Sequence, residues 1–208
     1  ASAQDQDVTG ALTQELVSAR VQILRDAGSQ EGAETTVGTY EAVLNWLGEA
    51  DVHAATEKTY LQAQVDAPLQ EAEIRDRMES AVYRSPDIDP DSVTDFSKED
   101  LEERLTALRL KLSESQAAKI QLDEKLATEQ GSAPNIQARI EAIDTRLQEL
   151  PAAPVIIEPG LQPSQFEATQ WAVLAERKSL GAERKSLEAR LASQPLRYSR
   201  RKAQSDDL

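Results

Sequence analysis

The stretch Asp95 to Leu150 reads DFSKEDLEERLTALRLKLSESQAAKIQLDEKLATEQGSAPNIQARIEAIDTRLQEL, and its spacing decides the fold class. Leu101, Leu105, Leu108 and Leu112 alternate four and three residues apart, and the register resumes at Leu122 and Leu126, with Ser115 and Lys119 as its polar interruptions. That is the stripe of an amphipathic helix that packs along one seam. Ser97 is placed to cap the start, with Asp100 three residues on as a carboxylate variant of the capping box. Phe96 and Leu101 occupy the staple positions. Gly131-Ser132-Ala133-Pro134 predicts a short stop and restart, after which Ile136, Ile140, Ile143, Leu147 and Leu150 keep the same spacing. A connection so short would make the two helices antiparallel neighbours.

Working toward the N-terminus, Ser85-Pro86-Asp87-Ile88-Asp89-Pro90-Asp91 reads as a linker, with two prolines, high charge and no periodicity. Before it, Val8, Leu12, Leu16, Ala19, Ile23 and Ala27 mark a first helix ending near Gly28. Tyr40, Leu44, Leu47, Ala54, Leu61 and Val65 mark a second, from about Ala33 to Val65. Asp66-Ala67-Pro68 predicts a break and a shorter helix on Leu69, Ile74, Met78 and Val82, because proline suits a first turn and not an interior.

Toward the C-terminus, Pro151, Pro154, Pro159 and Pro163 punctuate a crossing segment that contains the one β-like run, Val155-Ile156-Ile157. Ser164 with Glu167 suggests another capping box. The last helix carries Phe166, Val173, Leu180, Leu187 and Leu191 in heptad register. Within it Ala175-Glu176-Arg177-Lys178-Ser179-Leu180 recurs seven residues later as Ala182-Glu183-Arg184-Lys185-Ser186-Leu187. Seven is the coiled-coil period. Arg177 and Arg184 fall on the seam, which implies a partly wet interface.

The chain thus reads as all-α: an elongated antiparallel coiled-coil helical bundle. A helix of 30 residues is about 45 Å long. Three regions follow: an acidic N-terminal helical sub-bundle at 1–84, an acidic Pro/Asp linker at 85–96 and an antiparallel coiled-coil region at 97–208. The helices form either one bundle or two sub-bundles hinged at Ser85 to Thr94, and the change in charge and proline density there favours two. Residues 1–96 hold 19 acidic and 6 basic side chains, and residues 97–208 hold 18 and 17.

Composition narrows the function. The 208 residues carry a net charge of -14, which repels phosphate backbones and argues against nucleic-acid binding. With 39% apolar and 4% aromatic residues, the chain suits helices that bury one stripe better than a broad core. There is no cysteine, hence no disulfide, thiolate metal site or cysteine nucleophile. Apolar runs are far shorter than the ~20 residues of a membrane-spanning helix. The opening Ala1-Ser2-Ala3-Gln4-Asp5 reads like the stretch left by a signal peptidase, and the chain like a piece of something longer.

Candidate chemistry is sparse. Asp87, Asp89, Asp91 and Asp95 match four positions of a calcium loop, but Ser92 and Lys98 stand where glycine and a bidentate glutamate belong, so a solvated acidic linker is the favoured reading. His53 is the single histidine, which gives a metal site or a proton relay little to build on. No serine elbow and no phosphate loop occurs. We therefore expect no enzyme activity, no cofactor, and no catalytic or metal-ligating residue. Trp46 and Trp171 suit gaps between helices. The basic cluster Arg197, Arg200, Arg201 and Lys202 could meet anionic lipid or an acidic partner, and a solvated helix end is preferred.

The quoted stretch, with its acid-rich helix, polar gap in the leucine seam, short break and second Ile/Leu helix, resembles the periplasmic coiled-coil region, or MscS porin domain, of large MscS-type mechanosensitive channels. The likeness extends more loosely over residues 8–200. It implies a non-catalytic periplasmic arm of a Gram-negative inner-membrane channel, a spacer or gating modulator in osmotic-stress response. Its partners would be other subunits of a homo-oligomer, and the membrane would be met only through segments beyond this chain. The family supplies no catalytic motif. The alternative is a free-standing coiled-coil adaptor or scaffold that binds another envelope protein.

Overall fold

The computed structural model describes residues 12–26, 33–82, 96–151 and 162–208. Among them the chain forms four α-helices and no strand: α1 (Gln14–Asp26), α2 (Ala33–Val82), α3 (Lys98–Glu149) and α4 (Pro163–Asp206). The all-α expectation holds. The linker expected at 85–96, the hinge placed at Ser85 to Thr94 and the run Val155-Ile156-Ile157 lie outside the described residues, except for Phe96.

Local chemistry sets the helix starts. Thr13 caps α1, its Oγ1 accepting from Leu16 N at 3.3 Å. At α3, Asp100 N donates to Ser97 Oγ at 3.1 Å while Ser97 N donates to Asp100 Oδ2 at 3.2 Å, the reciprocal box expected there. At α4 the expected cap is displaced by two residues. Gln162 precedes Pro163, its carbonyl accepts from Gln165 N and Phe166 N, and its own N–H reaches Gln165 Oε1 at 3.3 Å. Proline at the first helical position costs no hydrogen bond, so the helix begins there rather than at Ser164.

Two expected breaks are absent. α2 runs through Pro68 and α3 through Pro134, so the pair of antiparallel helices expected on either side of Gly131 is one helix. α4 contains Pro195 in the same way. All three prolines stand on exposed faces, where the missing N–H and the displaced carbonyl meet water. The heptad count explains the continuity of α3. Sevens counted from Leu101 and Leu105 reach Leu122, Leu126, Ile136, Ile140, Ile143, Leu147 and Leu150 with no residue inserted at 131–134. Near Pro134 the Glu129 carbonyl accepts from Ser132 Oγ at 2.8 Å and from Gln194 Nε2 at 2.6 Å, the second tying this part of α3 to α4.

The tertiary contacts group into two units, and α2, α3 and α4 each supply a segment to both. Unit 1 comprises 1–60 and 136–190. Its core joins Leu12, Val17, Val21, Tyr40, Val43, Leu47, Ala168 and Ala175, with Trp46 and Trp171 packed against it as gap fillers. Tyr40 has no exposed surface. Its ring meets Trp171 edge-on at 5.4 Å, and its hydroxyl donates to the Ser164 carbonyl at 3.4 Å. Each fully buried valine or leucine of this core contributes roughly 1.5–3 kcal/mol. The expected α1 stripe is corrected: Leu16 and Ile23 are exposed, and Val17 and Val21 face the core. Two apolar stripes compete on this short helix, and the one carrying Val17, Val21 and Leu24 packs on α2 and α4.

Unit 2 comprises 61–135 and 191–208. Its buried side chains are few, and apart from Ile74 and Leu126 they are small: Ala67, Ser193, Ala203 and Ser205. Arg77 reaches Asp207, and Arg200 Nη1 donates to Gln70 Oε1 at 2.8 Å, so here α2 and α4 run in parallel. Leu61 and Val65, expected on the buried stripe of α2, are exposed.

The seam of α4 is also corrected. Its buried positions are Ala168, Ala175, Ser179, Ser186, Ala189, Ser193, Ala203 and Ser205, whereas Phe166, Val173, Leu180, Leu187 and Leu191 are half-buried. A helix with neighbours on several sides needs small side chains at its closest approaches, and leucines fill the spaces between.

Candidate functional site

In unit 1 the two copies of the AERKSL repeat form a ladder against α3. Arg139 Nε lies 2.7 Å from Glu183 Oε1 and Arg146 Nε lies 2.8 Å from Glu176 Oε1. The numbers fall on one helix as they rise on the other, so α3 and α4 are antiparallel here. Hydrogen bonds to Glu183 and Glu176 hold the Arg139 and Arg146 guanidiniums above their ordinary pKa. Arg184 Nε meets Asp144 at 3.1 Å, and Arg177 donates to the Leu150 carbonyl at 2.8 Å, which closes the C-terminal end of α3. The two seam arginines thus tie α4 to α3, Arg184 from a well-exposed position.

In unit 2 the basic cluster is folded inward. Glu129 of α3 accepts a hydrogen bond from Arg197, and its other oxygen forms an ion pair with Arg201 at 2.5 Å. The Glu129 and Arg197 side chains are each only 12% exposed. Arg197 Nε also donates to Ser193 Oγ at 3.1 Å, and Ser205 Oγ donates to Asp123 Oδ1 at 3.1 Å. With Arg200 held by Gln70, only Lys202 remains on the surface as a solvated cation. The solvated helix end is therefore corrected for the three arginines: they bind their own chain. Glu129 was legible as a charge on the α3 heptad register between Leu126 and Ile136, a place that demands a buried partner.

The leucine seam of α3 is open in its first half. Every residue from Lys98 to Glu114 is exposed, Leu108 at 62%, Leu101 still at 38%. Leu126 is the first leucine of the stripe to be buried. Arg104 stacks on the Phe96 ring at 3.6 Å and ties the chain entering α3 to its second turn. The leucines behind the coiled-coil reading thus form a face with no partner among the described residues, where α3 is longer than the segments that α2 and α4 give to unit 2.

The remaining sequence candidates contribute little. Asp87, Asp89, Asp91 and Asp95 lie outside the described residues, and His53 is a half-buried residue of α2. Among the described residues no group of three or more histidine or carboxylate side chains is placed to hold a metal ion. No described helix is long and apolar enough to cross a membrane. What the arrangement can do is hold helices in register through charge ladders and offer leucines for contact.

Residues 13–208 match the family described as mechanosensitive ion channel porin domain. No curated protein and no solved structure shows a significant match to the chain. The heptads, the capped helix starts and the family match over nearly the whole length agree. This all-helical chain belongs to the mechanosensitive ion channel porin domain family.

Proposed function

We propose that the chain is the non-catalytic, extracytoplasmic arm of an MscS-like mechanosensitive channel, a helical spacer or gating modulator placed in the periplasm. The family match over residues 13–208 carries the reading. The structure supports it through what it invests in register. The Arg139–Glu183 and Arg146–Glu176 ladder and the inward-facing Glu129–Arg197–Arg201 cluster resist sliding of one helix along another, as a spacer that transmits force requires. Such channels relieve osmotic pressure, and an arm of this kind would set how the channel responds.

An antibody raised against this chain, applied to fractionated cells, tests the proposal. A product much larger than 22.9 kDa that resists extraction by salt and alkali is expected, with reduced survival of osmotic downshock when the arm is deleted. A soluble product near that mass would overturn it. The adaptor reading is favoured by one observation, the open leucines Leu101 to Leu112, and that soluble product would select it.

A further inference from the structure

The three prolines inside the described helices, Pro68 of α2, Pro134 of α3 and Pro195 of α4, are far apart in sequence and fall at one level of unit 2. Side-chain contacts fix that level. Arg200 Nη1 reaches Gln70 Oε1 at 2.8 Å and Arg77 reaches Asp207, each pair 130 residues apart, so Pro68 stands beside Tyr198. Glu129 meets Gln194, Arg197 and Arg201, and Asp123 meets Ser205 at 3.1 Å. α3 is antiparallel to α4 here, so Pro134, five residues past Glu129 and eleven past Asp123, stands beside residues 192–194. Counted on α4, the three prolines lie between residues 192 and 198, a band about 9 Å deep.

Each proline removes the amide that would close its own turn, so every helix of this cross-section lacks a rung at the same level. Gly131, three residues before Pro134, adds backbone freedom, and a Cβ there would meet nothing within 4 Å, so no close contact requires glycine. The interior of the band is thin as well. Between Leu126 and Ile136 the α3 stripe carries Glu129 and Ala133, and the buried residues beside them are Ala67 and Ser193. The Glu129–Arg197–Arg201 cluster fills the space. Its ion pairs resist sliding but supply little of the dispersion contact that stiffens a leucine seam.

We infer that this band is a built-in hinge, a level at which α2, α3 and α4 bend together. Packed helices cannot bend singly without parting, so a proline in one alone would be held straight by its neighbours, whereas aligned prolines let all three give at once. All three rings are exposed, so water reaches the backbone that bending opens. The helices are 50, 52 and 44 residues long, and prolines tolerated merely for being exposed would have no reason to coincide. The hinge is a property of this chain and does not rest on the channel reading; a soluble product in the fractionation experiment would leave it standing. In a force-bearing arm it would be the place that yields first.

The cysteine-free chain permits spin-label pairs. Gln121→Cys with Ala142→Cys brackets Pro134 on α3, and Lys185→Cys with Lys202→Cys brackets Pro195 on α4; all four positions are exposed. Straight helices would hold the labels about 32 Å and about 26 Å apart, and pulsed dipolar EPR reads the spread around those distances. We expect broad distributions in both pairs, narrowing about twofold when Pro68→Ala, Pro134→Ala and Pro195→Ala are combined. Alanine favours the helix, so these variants fold, and circular dichroism checks it. Pro134→Ala alone should already narrow the α4 pair, because helices that bend together stiffen together. Equal widths with and without the prolines would overturn the hinge. Narrowing of the α3 pair alone by Pro134→Ala would mean that each helix flexes by itself, and would overturn a shared one.

Discussion

Arg139 of α3 lies opposite Glu183 of α4, Nε to Oε1 2.7 Å, and the relationship repeats one heptad along, where Arg146 meets Glu176 at 2.8 Å. An internal repeat on one helix is thus answered by arginines at the same spacing on another. The AERKSL repeat sets the alignment of two antiparallel helices, whose small seam residues would otherwise tolerate several registers.

The ladder should be weak in energy and sensitive to salt. The arginines are about half exposed, so Glu176→Gln or Glu183→Gln should each cost about 0.2–1 kcal/mol. For a chain of this size that lowers Tm by a few degrees at most, about 2–4 °C per kcal/mol. Thermal melts should show the difference shrinking in high salt. A large loss that salt does not change would refute a surface ladder.

Glu129 should matter more. Glu129→Ala leaves Arg197 nearly buried without its carboxylate, which costs about 3–5 kcal/mol. Hydrogen exchange should quicken in residues 121–135 and 191–206. Replacing Glu129, Arg197 and Arg201 together by apolar side chains of similar volume should recover much of the loss, and failure to do so would mean that the cluster does more than cancel its own charges.

Pro134→Ala should stabilise the chain. The helix already continues through this exposed position, so alanine adds a backbone donor and removes the clash of the ring with the preceding turn, a gain of up to about 3 kcal/mol. Denaturant titration measures it. No gain would mean that the surroundings hold the backbone bent even without proline.

Ser97→Ala should fray the start of α3, because no side chain from Lys98 to Glu114 is buried and the cap has no packing to back it up. A capping loss of about 1 kcal/mol should show as faster amide exchange in that stretch and little change elsewhere. The Ser97 hydroxyl and then its backbone N–H hold the Asp100 carboxyl below its usual pKa. A depressed folded value gives stability above the unfolded pKa that is lost as pH falls through the folded one. The same stretch should therefore fray in acid before unit 1 does.

Tyr40 sets the alkaline limit of unit 1. Burial, with help from the nearby Glu167 carboxylate, raises its hydroxyl from 10.0 to about 12. A raised folded pKa means the stability is complete below 10.0 and disappears as pH climbs toward about 12. Tyrosinate absorbance should report one late-titrating tyrosine, and its ionisation should coincide with loss of helix signal. Tyr40→Phe should abolish that step while losing about 1 kcal/mol of hydrogen bonding to Ser164. Ionisation of Tyr40 near 10 with the helix intact would refute the assignment.

Much of this was legible before any coordinates. The Ser97–Asp100 box, the helical class, the aromatic gap fillers and the family likeness all follow from residues close together in sequence. The local cost of proline suggests breaks at Pro68 and Pro134, but both helices continue, and across 131–134 the unbroken heptad phase points the same way. The ladder could have been found by matching the spacing of Glu176 and Glu183 to that of Arg139 and Arg146. The Glu129 cluster could have been found by asking what a carboxylate was doing on the α3 register.

The sequence by itself determined that the chain is helical, how α3 is capped and which residues can share a face, because capping and periodicity act over a few residues. Only the tertiary structure decided which faces are used. Whether Val17 or Leu16 meets the core, whether Arg197 and Arg201 face solvent or Glu129, and whether Leu101 to Leu112 are covered depends on which segment lies alongside. That is settled by competition among stripes for burial, and the leucines of α3 that no segment covers remain exposed.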